Sequence, residues 1–472
     1  MFSPESHLII AHLFPRLIGI IYFFALGSLL FQIRGLIGER GILPVRAYLD
    51  HFRNRLGTRR FYWVPTVFWW DCSDQALMAV AGLGTFLAVL LAFGIYPFLL
   101  LPLLFLIHLS IVSVGQDFLS FGWEMFFLET SCHAFLLSLA SIPNSVVWIS
   151  VCFLIFRFHL QAGTSKLLSR EPVWRNLTAL FYHYQTQPLP NMMAWYLHKF
   201  PLWFHKLSTF MTLLIEIVLP FAIFGPKEFQ FAAFLGFFFL QFSIWISGNY
   251  SYLNHLTAVL VSLLISDSYL DHFFTLPDTP PTPWYLDFFL YLSGGIMICL
   301  QLLRLYHHFF HDKRVGRILS YVEPFHIANR YGIFAVMTTT RYEIVIEGSN
   351  DRKVWKEYLF PYKPSEINRR PRRVSPYQPR IDWQAWFLPF EDFKSAVWFQ
   401  NFLYRILEGS PQVLSLLRLN PFPDKPPQFV RAIIYTYEFT DTKTKQAKGE
   451  WWRRTYVDSY SPIFYRHKSI PK

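Results

Sequence analysis

The residues best suited to chemistry lie between Arg157 and Lys206, where charged and aromatic side chains interrupt an otherwise apolar chain. Arg157 and His159 lie inside an apolar segment, and Lys166 follows just beyond it. The proline-broken connector that comes next carries Trp174, Tyr182, His183, Tyr184, Trp195 and His198. Such a pattern is typical of a connector at a membrane interface, and it is equally compatible with a place where a ligand is held.

Three carboxylates could join these cations in a polar site. Glu124 and Glu129 lie in one apolar segment, and Glu216 lies in another. Ionisable groups at membrane depth are costly and normally pair with one another inside a bundle. We therefore expect Glu124 or Glu129 to pair with Arg157 or Lys166, either as a structural lock or as part of a polar pocket. Glu216 has no obvious local partner.

The apolar segments themselves predict a polytopic membrane protein. Of the 472 residues, 53% are hydrophobic and only 16% are charged, and a helix needs about 20 mostly apolar residues to cross a bilayer. The candidate spans are 9–33, 74–95, 97–114, 124–141, 145–162, 206–224, 229–247, 252–267 and 286–303. We assign residues 1–303 to a transmembrane helical domain of about eight or nine spans, followed by a juxtamembrane connector at 304–325.

The charge distribution favours membrane lipid over nucleic acid as a partner. The net charge of +12 comes largely from arginines and lysines beside the spans and in the tail. Clusters of this kind mark cytoplasmic loops and contact anionic lipid. The first run, 9–33, lacks a basic flank before it and a small-residue cleavage site after it, so we interpret it as a retained anchor.

Residues 326–472 predict a soluble β-rich α+β domain. Alternating apolar residues flank Asn350-Asp351, which is a hairpin signal. Helical spacing around Phe399 and Leu403 predicts short helices between 383 and 418, and strands return near 428–441 and 451–460. The Pro- and Arg-rich segment 368–380 predicts a linker or a surface loop.

Common catalytic and metal-binding motifs are absent from the sequence. It contains no GxSxG, P-loop, GxGxxG or HExxH pattern, and its four cysteines form neither a CxxC pair nor a zinc pattern. His183 and His198 are far apart in sequence and have no nearby carboxylate, so they are weak metal ligands. No cofactor and no metal site is predicted.

Several strings in the chain resemble the lipase maturation factor family. They include GLIGERGILP, FGWEMFFLETSC, SGNYSYLNHLT, PRIDWQAWF and EWWRRTYV, and they occur in the same order over nearly the whole chain. The resemblance implies a membrane-embedded folding factor for secreted homodimeric lipases or other secretory clients, with a client-handling C-terminal region and no catalytic activity of its own. It implies the endoplasmic reticulum membrane in a eukaryote and the cytoplasmic membrane in a bacterium.

A shorter stretch is similar to the membrane module of the vitamin K-dependent gamma-glutamyl carboxylase. Gly163-Thr164-Ser165-Lys166-Leu167, followed by Trp174, carries this similarity. A lysine at the matching position acts as a base in that enzyme, so Lys166 is a candidate catalytic residue. The alternative function is therefore an intramembrane enzyme with a lysine base.

If the C-terminal region binds clients, it must expose apolar side chains. It must also lie on the same side of the membrane as the clients. Aromatic candidates for client contact are Trp383, Trp386, Trp451 and Trp452. The span count places the Arg-rich loop at 34–60 and the tail on one side, which charge predicts to be cytoplasmic. The family role instead predicts the lumen or periplasm, so both orientations stay open.

Overall fold

Nine helices form a bundle in the N-terminal two-thirds of the chain. The computed structural model describes residues 4–276 and 278–465. The nine helices are α1 (Leu8–Leu30), α2 (Asp74–Ala92), α3 (Pro97–Val114), α4 (Gly122–Leu137), α5 (Ser145–Leu168), α6 (Leu202–Ile217), α7 (Lys227–Ser247), α8 (Leu253–Val261) and α9 (Trp284–Phe310). Capping side chains fix some starts: Asn144, for example, accepts hydrogen bonds from the first amides of α5.

Seven helices in the described residues are long and apolar enough to cross a membrane: α1, α2, α3, α5, α7, α9 and α6 with its 3₁₀ extension to Phe224. The intervals predicted as spans at 124–141 and 252–267 form shorter helices instead. α4 has 16 residues, and α8 has nine, followed by a 3₁₀ turn to Leu264. Both are among the most buried helices of the bundle. The chain is thus a polytopic helical membrane protein.

The bundle has two faces that differ in what they carry. On the N-terminal face, the amides of Leu8 and Ile9 donate to Asp267, and Asn144 bonds to Asp287 at 2.6 Å. The opposite face, called here the C-terminal face, carries the Arg-rich loop with helices Ile33–Ile37, Val45–Leu56 and Arg60–Trp63. It also carries the connector with helices Pro172–Arg175, Ala179–Thr186 and Met192–His198.

A small antiparallel sheet packs on the C-terminal face. Its strands are β1 (Tyr342–Ser349), β2 (Lys356–Tyr358), β3 (Phe429–Phe439), β4 (Trp452–Ser459) and β5 (Phe464–Tyr465). The order is β2-β1-β3-β4, and β5 pairs with β3. The same region contains α10 (Arg380–Ala385), α11 (Val397–Glu408) and the helices Pro411–Leu414 and Thr442–Lys448, and the helix Lys313–Ser320 follows α9. The predicted hairpin, the later strands and the short helices are confirmed.

The segment predicted as a linker or surface loop, 368–380, forms neither helix nor strand before Arg380 and is exposed at four of residues 368–373, but its last three residues are buried. The side chains of Gln378 and Arg380 are fully buried. Gln32 at the end of α1 donates to the Gln378 carbonyl, and its own carbonyl oxygen accepts from the Arg380 amide at 2.9 Å. Only the end of the segment, residues 378–380, is buried against the bundle, whereas Arg370, Arg372 and Arg373 face solvent.

Candidate functional site

Lys166 on α5 and Glu216 on α6 form a buried ion pair. The Lys166 ammonium lies 2.9 and 2.7 Å from the two carboxylate oxygens of Glu216, and it donates a third bond to the Ala162 carbonyl. Gly163 lets the two helices approach this closely, because a Cβ there would lie 2.5 Å from Ile217 and 2.8 Å from Glu216. Glu216, which has no obvious local partner in the sequence, thus pairs with a residue 50 positions away.

This ion pair lies in the wall of a cavity between α5, α6, α7 and the connector. About 870 Å³ of space in the cavity and its open mouth is free of protein atoms. Its apolar wall includes Phe158, Leu180, Leu240, Ile244, Phe334 and Met337. Its polar wall adds His159 and His183 to the ion pair, together with Gln241, Tyr250 and Asn254. An apolar chamber with a few fixed polar groups is the usual form of a small-molecule site.

The chain from 331 to 337 closes the cavity from the side of the sheet. This segment forms neither helix nor strand. The indole of Trp174 donates to the Phe334 carbonyl at 3.1 Å, and the Phe334 ring packs edge-on against His183 and Tyr250. The roof of the cavity thus belongs to the C-terminal part of the chain, a few residues before β1.

The connector supplies a hydrogen-bonded, uncharged side of the cavity. His183 bonds to the hydroxyl of Tyr250 at 3.1 Å, and that hydroxyl donates to Gln187 at 2.8 Å. Burial, followed by the charge of Lys166, lowers the pKa of His183 to about 4, so its imidazole is neutral at pH 7. Burial also raises the pKa of Tyr184 to about 12.

The other two intramembrane carboxylates lie elsewhere, on α4. Glu129 receives the guanidinium of Arg157, which also donates to the Asn329 carbonyl. The second carboxylate oxygen of Glu129 accepts from the Asn329 amide at 2.8 Å and from the Tyr331 hydroxyl at 2.6 Å. The structure thus places Arg157 against Glu129, whereas Lys166 pairs with neither α4 carboxylate.

Glu124 has partners from three parts of the chain. It lies 2.8 Å from the guanidinium of Arg380, 3.1 Å from the His108 imidazole and 2.5 Å from the Tyr252 hydroxyl. Neither periodicity nor motif analysis identified Arg380, His108 or Asn329 as partners. The six residues expected in one polar cluster are therefore divided between the cavity wall (His159, Lys166, Glu216) and two α4 networks.

The connector residues are divided as well. Trp174, His183 and Tyr184 line the cavity, and Tyr182 packs beside Trp174. Trp195 instead joins a small core with Tyr437, Trp451 and Trp452 of the C-terminal domain. His198 lies apart from the cavity, and its Nδ1 donates to the Phe181 carbonyl at 3.1 Å.

Three of the four candidate client-contact tryptophans are buried, which agrees with ordinary core packing, the alternative to exposure for these residues. Trp383, Trp451 and Trp452 retain 4%, 8% and 1% of their surface. Trp386 is half-buried and donates to the Thr186 carbonyl at 2.8 Å. Trp451 and Trp452 pack with Trp195 at the joint between sheet and connector, and Trp383 packs against Phe121, Trp123 and Tyr250 of the bundle. A role in client binding stays a prediction for these residues.

Across the described residues, no group of three or more His, Cys, Asp or Glu side chains is arranged to hold a metal ion. The site is therefore defined by an apolar chamber, one ion pair and neutral hydrogen-bonding groups.

These features define a multi-pass membrane protein with an internal cavity and a β-rich domain docked on one face. Two family models match: the lipase maturation factor transmembrane domain over residues 9–272 and the lipase maturation factor C-terminal domain over residues 327–462. The chain belongs to the lipase maturation factor family. No solved structure matches it.

Curated relatives match along nearly the whole chain. Lipase maturation factor 1 of Bos taurus is 32% identical over 96% of this chain and 88% of its own length. The Homo sapiens protein of that name is 32% identical over 95% and 86%, and lipase maturation factor 2 of Gallus gallus is 30% identical over 93% and 79%. The chain is accordingly a multi-pass integral membrane protein, located in the endoplasmic reticulum in a eukaryote.

Proposed function

We propose that this chain is a membrane-embedded maturation factor for secreted lipases and that its C-terminal domain handles the client. The observation that carries the proposal is similarity to proteins named lipase maturation factor, which extends through both the membrane and the C-terminal regions. Lipases that fold as homodimers are the client class that the family resemblance implies.

The contacts between the two regions support joint action. Arg380 and Asn329 from the C-terminal part satisfy the two α4 carboxylates, and the α11 residue Arg405 donates to the Gly41 carbonyl of the Arg-rich loop. A client bound to the sheet would therefore be held against the membrane surface rather than on a free arm.

The exposed edge of β4 is the surface we assign to client contact, in place of the buried tryptophans. Within the described chain, β4 has a strand neighbour on one side only, and residues 455–459 are exposed on both faces. Tyr456 and Val457 retain 59% and 44% of their surface. An open edge with exposed apolar side chains can add an extended client segment as a further strand.

The experiment compares the specific activity of a secreted homodimeric lipase, as activity per unit of lipase protein, in cells with and without this gene. We expect lower specific activity without the gene while lipase synthesis continues. Val457→Lys should reduce specific activity, because a lysine on an edge strand opposes strand addition. Val354→Lys is the matched control, since Val354 is 62% exposed in the β1–β2 turn.

Point variants are preferable to deletion of residues 320–472. That deletion would remove Arg380, Asn329 and Tyr331 and leave Glu124 and Glu129 without their C-terminal partners. Unpaired buried charges destabilise a bundle strongly. Loss of function in the deletion would therefore not separate client handling from misfolding, whereas Val457→Lys leaves the bundle intact.

The proposal requires the C-terminal face to lie in the compartment of the clients. Thr442→Asn creates an Asn-Lys-Thr glycosylation acceptor on an exposed helix of the sheet domain. In a eukaryotic host we expect added glycan, seen as a shift in gel mobility relative to the unsubstituted chain. An unglycosylated but abundant variant would place the domain in the cytoplasm and contradict direct client contact.

A second candidate function is an intramembrane reaction with Lys166 as base, favoured by the position of Lys166 in the cavity wall. The opposing observation is that the three ammonium hydrogens of Lys166 all have acceptors on Glu216 and Ala162, so none is directed at a substrate. Exchanging the pair, Lys166→Glu with Glu216→Lys, separates the two roles. Retained lipase maturation supports a structural pair, and lost maturation at normal abundance supports the base.

A further inference from the structure

Two polar atoms in the cavity wall have no hydrogen-bond partner among the described residues: His159 Nε2 and Asn254 Oδ1. His159 is 1% exposed and Asn254 is 3% exposed, so surrounding lipid or bulk water does not satisfy them. A buried polar atom left without a partner costs about 1–3 kcal/mol. Both residues line the cavity, so a small rotation of either side chain would bring its unpartnered atom to a molecule bound there.

Both unpartnered atoms are acceptors. His159 Nδ1 lies 2.9 Å from the Ile155 carbonyl, so Nδ1 carries the proton and Nε2 presents a lone pair. The Asn254 amide nitrogen donates to Gln241 at 2.8 Å, which leaves its carbonyl oxygen free to accept. A ligand that completes this wall must supply hydrogen-bond donors, as a hydroxyl group does.

The ion pair makes the cavity unsuited to an anion. The Lys166 ammonium uses its three hydrogens on Glu216 and Ala162, and it offers none to a ligand carboxylate or phosphate. A negative head group would have to displace Glu216 or lie beside it in an apolar chamber. The charge balance of the wall thus favours an uncharged ligand.

The position of the cavity opening indicates that the ligand enters from the membrane. Thr212 on α6 and Ser243 on α7 line the cavity and are only half-buried. Their hydroxyls bond to carbonyls one turn back on their own helices. The neighbouring Met211 and Phe242 are 38% and 45% exposed on spans that contact acyl chains. Small side chains at this point open the cavity sideways into the apolar layer.

We propose that the cavity binds an uncharged membrane lipid that carries at least one hydroxyl group, with the hydroxyl on His159 and Asn254 and the apolar body against Phe158, Leu240 and Phe334. Binding of such a lipid depends on the cavity alone and is independent of whether the chain matures lipases.

The experiment uses the full-length chain purified in detergent and three tritiated probes that share one acyl chain. They are 1-oleoylglycerol, an uncharged diol; oleate, an anion; and methyl oleate, which has acceptors but no donor. We expect saturable binding of 1-oleoylglycerol and at least tenfold weaker binding of the other two. Cholesterol, a hydroxyl on a rigid body, serves as a competitor: displacement by cholesterol alone identifies a sterol site, and displacement only by glycerides identifies a glyceride site.

His159→Phe tests the position of the head group, because it keeps a ring stacked on Phe237 and removes the acceptor. We expect about tenfold weaker binding, the loss of roughly one buried hydrogen bond. The matched control is His255→Phe, since His255 lines the lipid-facing groove on the outer side of α7 and α8 rather than the cavity. Binding by this control should match the unsubstituted chain.

Ala162→Leu is a second variant that takes up cavity space and leaves both acceptors in the chain. Each variant is first checked for a single elution peak and an unchanged melting temperature. Equal binding of the three probes, or normal 1-oleoylglycerol binding by both folded cavity variants, would overturn the proposal. Loss in His255→Phe alone would move the site to the outer groove and also overturn it.

Discussion

The buried ion pairs Arg157–Glu129 and Lys166–Glu216 look alike in sequence but differ in what surrounds them. Arg157 and Glu129 are closed in by Asn329, Tyr331 and two glutamines, and no empty space borders them among the cavities described above. The Lys166–Glu216 pair borders the cavity. A buried ion pair in a membrane protein can therefore either hold two regions together or form part of a binding site. The presence of a cavity beside the pair distinguishes the two.

The largest effect should come from breaking the enclosed pair. Arg157→Met leaves Glu129 with an uncompensated charge, and we expect a loss of about 3–5 kcal/mol in the free energy of unfolding. The melting temperature of the purified protein and its cellular abundance measure this loss. Adding Glu129→Gln should restore part of the stability. A single variant as stable as the unsubstituted chain would refute the structural lock.

A smaller loss is expected at the cavity wall. Lys166→Met leaves Glu216 unpaired, but the adjoining cavity can admit water to the carboxylate, so we expect about 2–3 kcal/mol. The same two measurements apply. If Lys166→Met destabilises the protein more than Arg157→Met does, the cavity does not moderate the loss of the ion pair.

A pH-dependent prediction concerns Asp382, next to the Arg380 that reaches Glu124. Burial raises the pKa of Asp382 to about 6, and its Oδ2 is without a partner in the described chain, although backbone amides bond to the other oxygen. An acid whose pKa is raised by folding stabilises the protein at low pH, and this contribution is lost as the pH rises from about 4 through about 6.

Asp382→Asn should therefore raise the melting temperature at pH 7.5 and reduce its fall between pH 4 and 6. The pKa shift corresponds to about 3 kcal/mol at most, and the amide nitrogen offsets part of this gain, so we expect about 1–2 kcal/mol. Melting curves of the two proteins from pH 4 to 7.5 measure the difference. If the melting temperatures of the two proteins change with pH by the same amount, the raised pKa of Asp382 is contradicted.

The smallest effect is expected at the edge of the joint between sheet and connector. Trp386→Phe removes one neutral hydrogen bond to the Thr186 carbonyl and should cost about 1 kcal/mol. Trp355→Phe is the control, because the Trp355 indole bonds within its own exposed turn. Equal melting temperatures for both variants would show that the Trp386 bond does not hold the joint.

Local patterns predicted the elements well, and long-range partners poorly. The apolar runs identified the spans, and alternation around Asn350-Asp351 identified the hairpin, because both signals lie within a few residues. Arg380 could not be predicted as the partner of Glu124, since nothing local to the PRIDWQAWF string distinguishes it from a surface arginine. Likewise, Lys166 and Glu216 meet because Gly163 permits close helix packing, a contact that periodicity does not encode.

The positions of the tryptophans could not be predicted for a related reason. Trp383, Trp451 and Trp452 lie in short strands and helices whose patterns do not specify which face meets the connector. The connector itself was expected at the membrane interface, and its Trp195 packs against Trp451. When the sequence does not show how a domain packs on its neighbour, a large aromatic residue can be either exposed or buried in the interface. Only the tertiary contacts distinguish the two.

The dependence of α4 on Asn329 has a consequence for biosynthesis. Asn329 follows Glu129 by 200 residues, which a ribosome adds in about 10–40 s at 5–20 residues per second. During that interval, the short helix that carries Glu124 and Glu129 has reached the translocation machinery without the groups that later satisfy its carboxylates. A nascent chain halted before residue 329 should therefore stay exposed to membrane chaperones and degradation, so the C-terminal region acts as a completion signal for the whole protein.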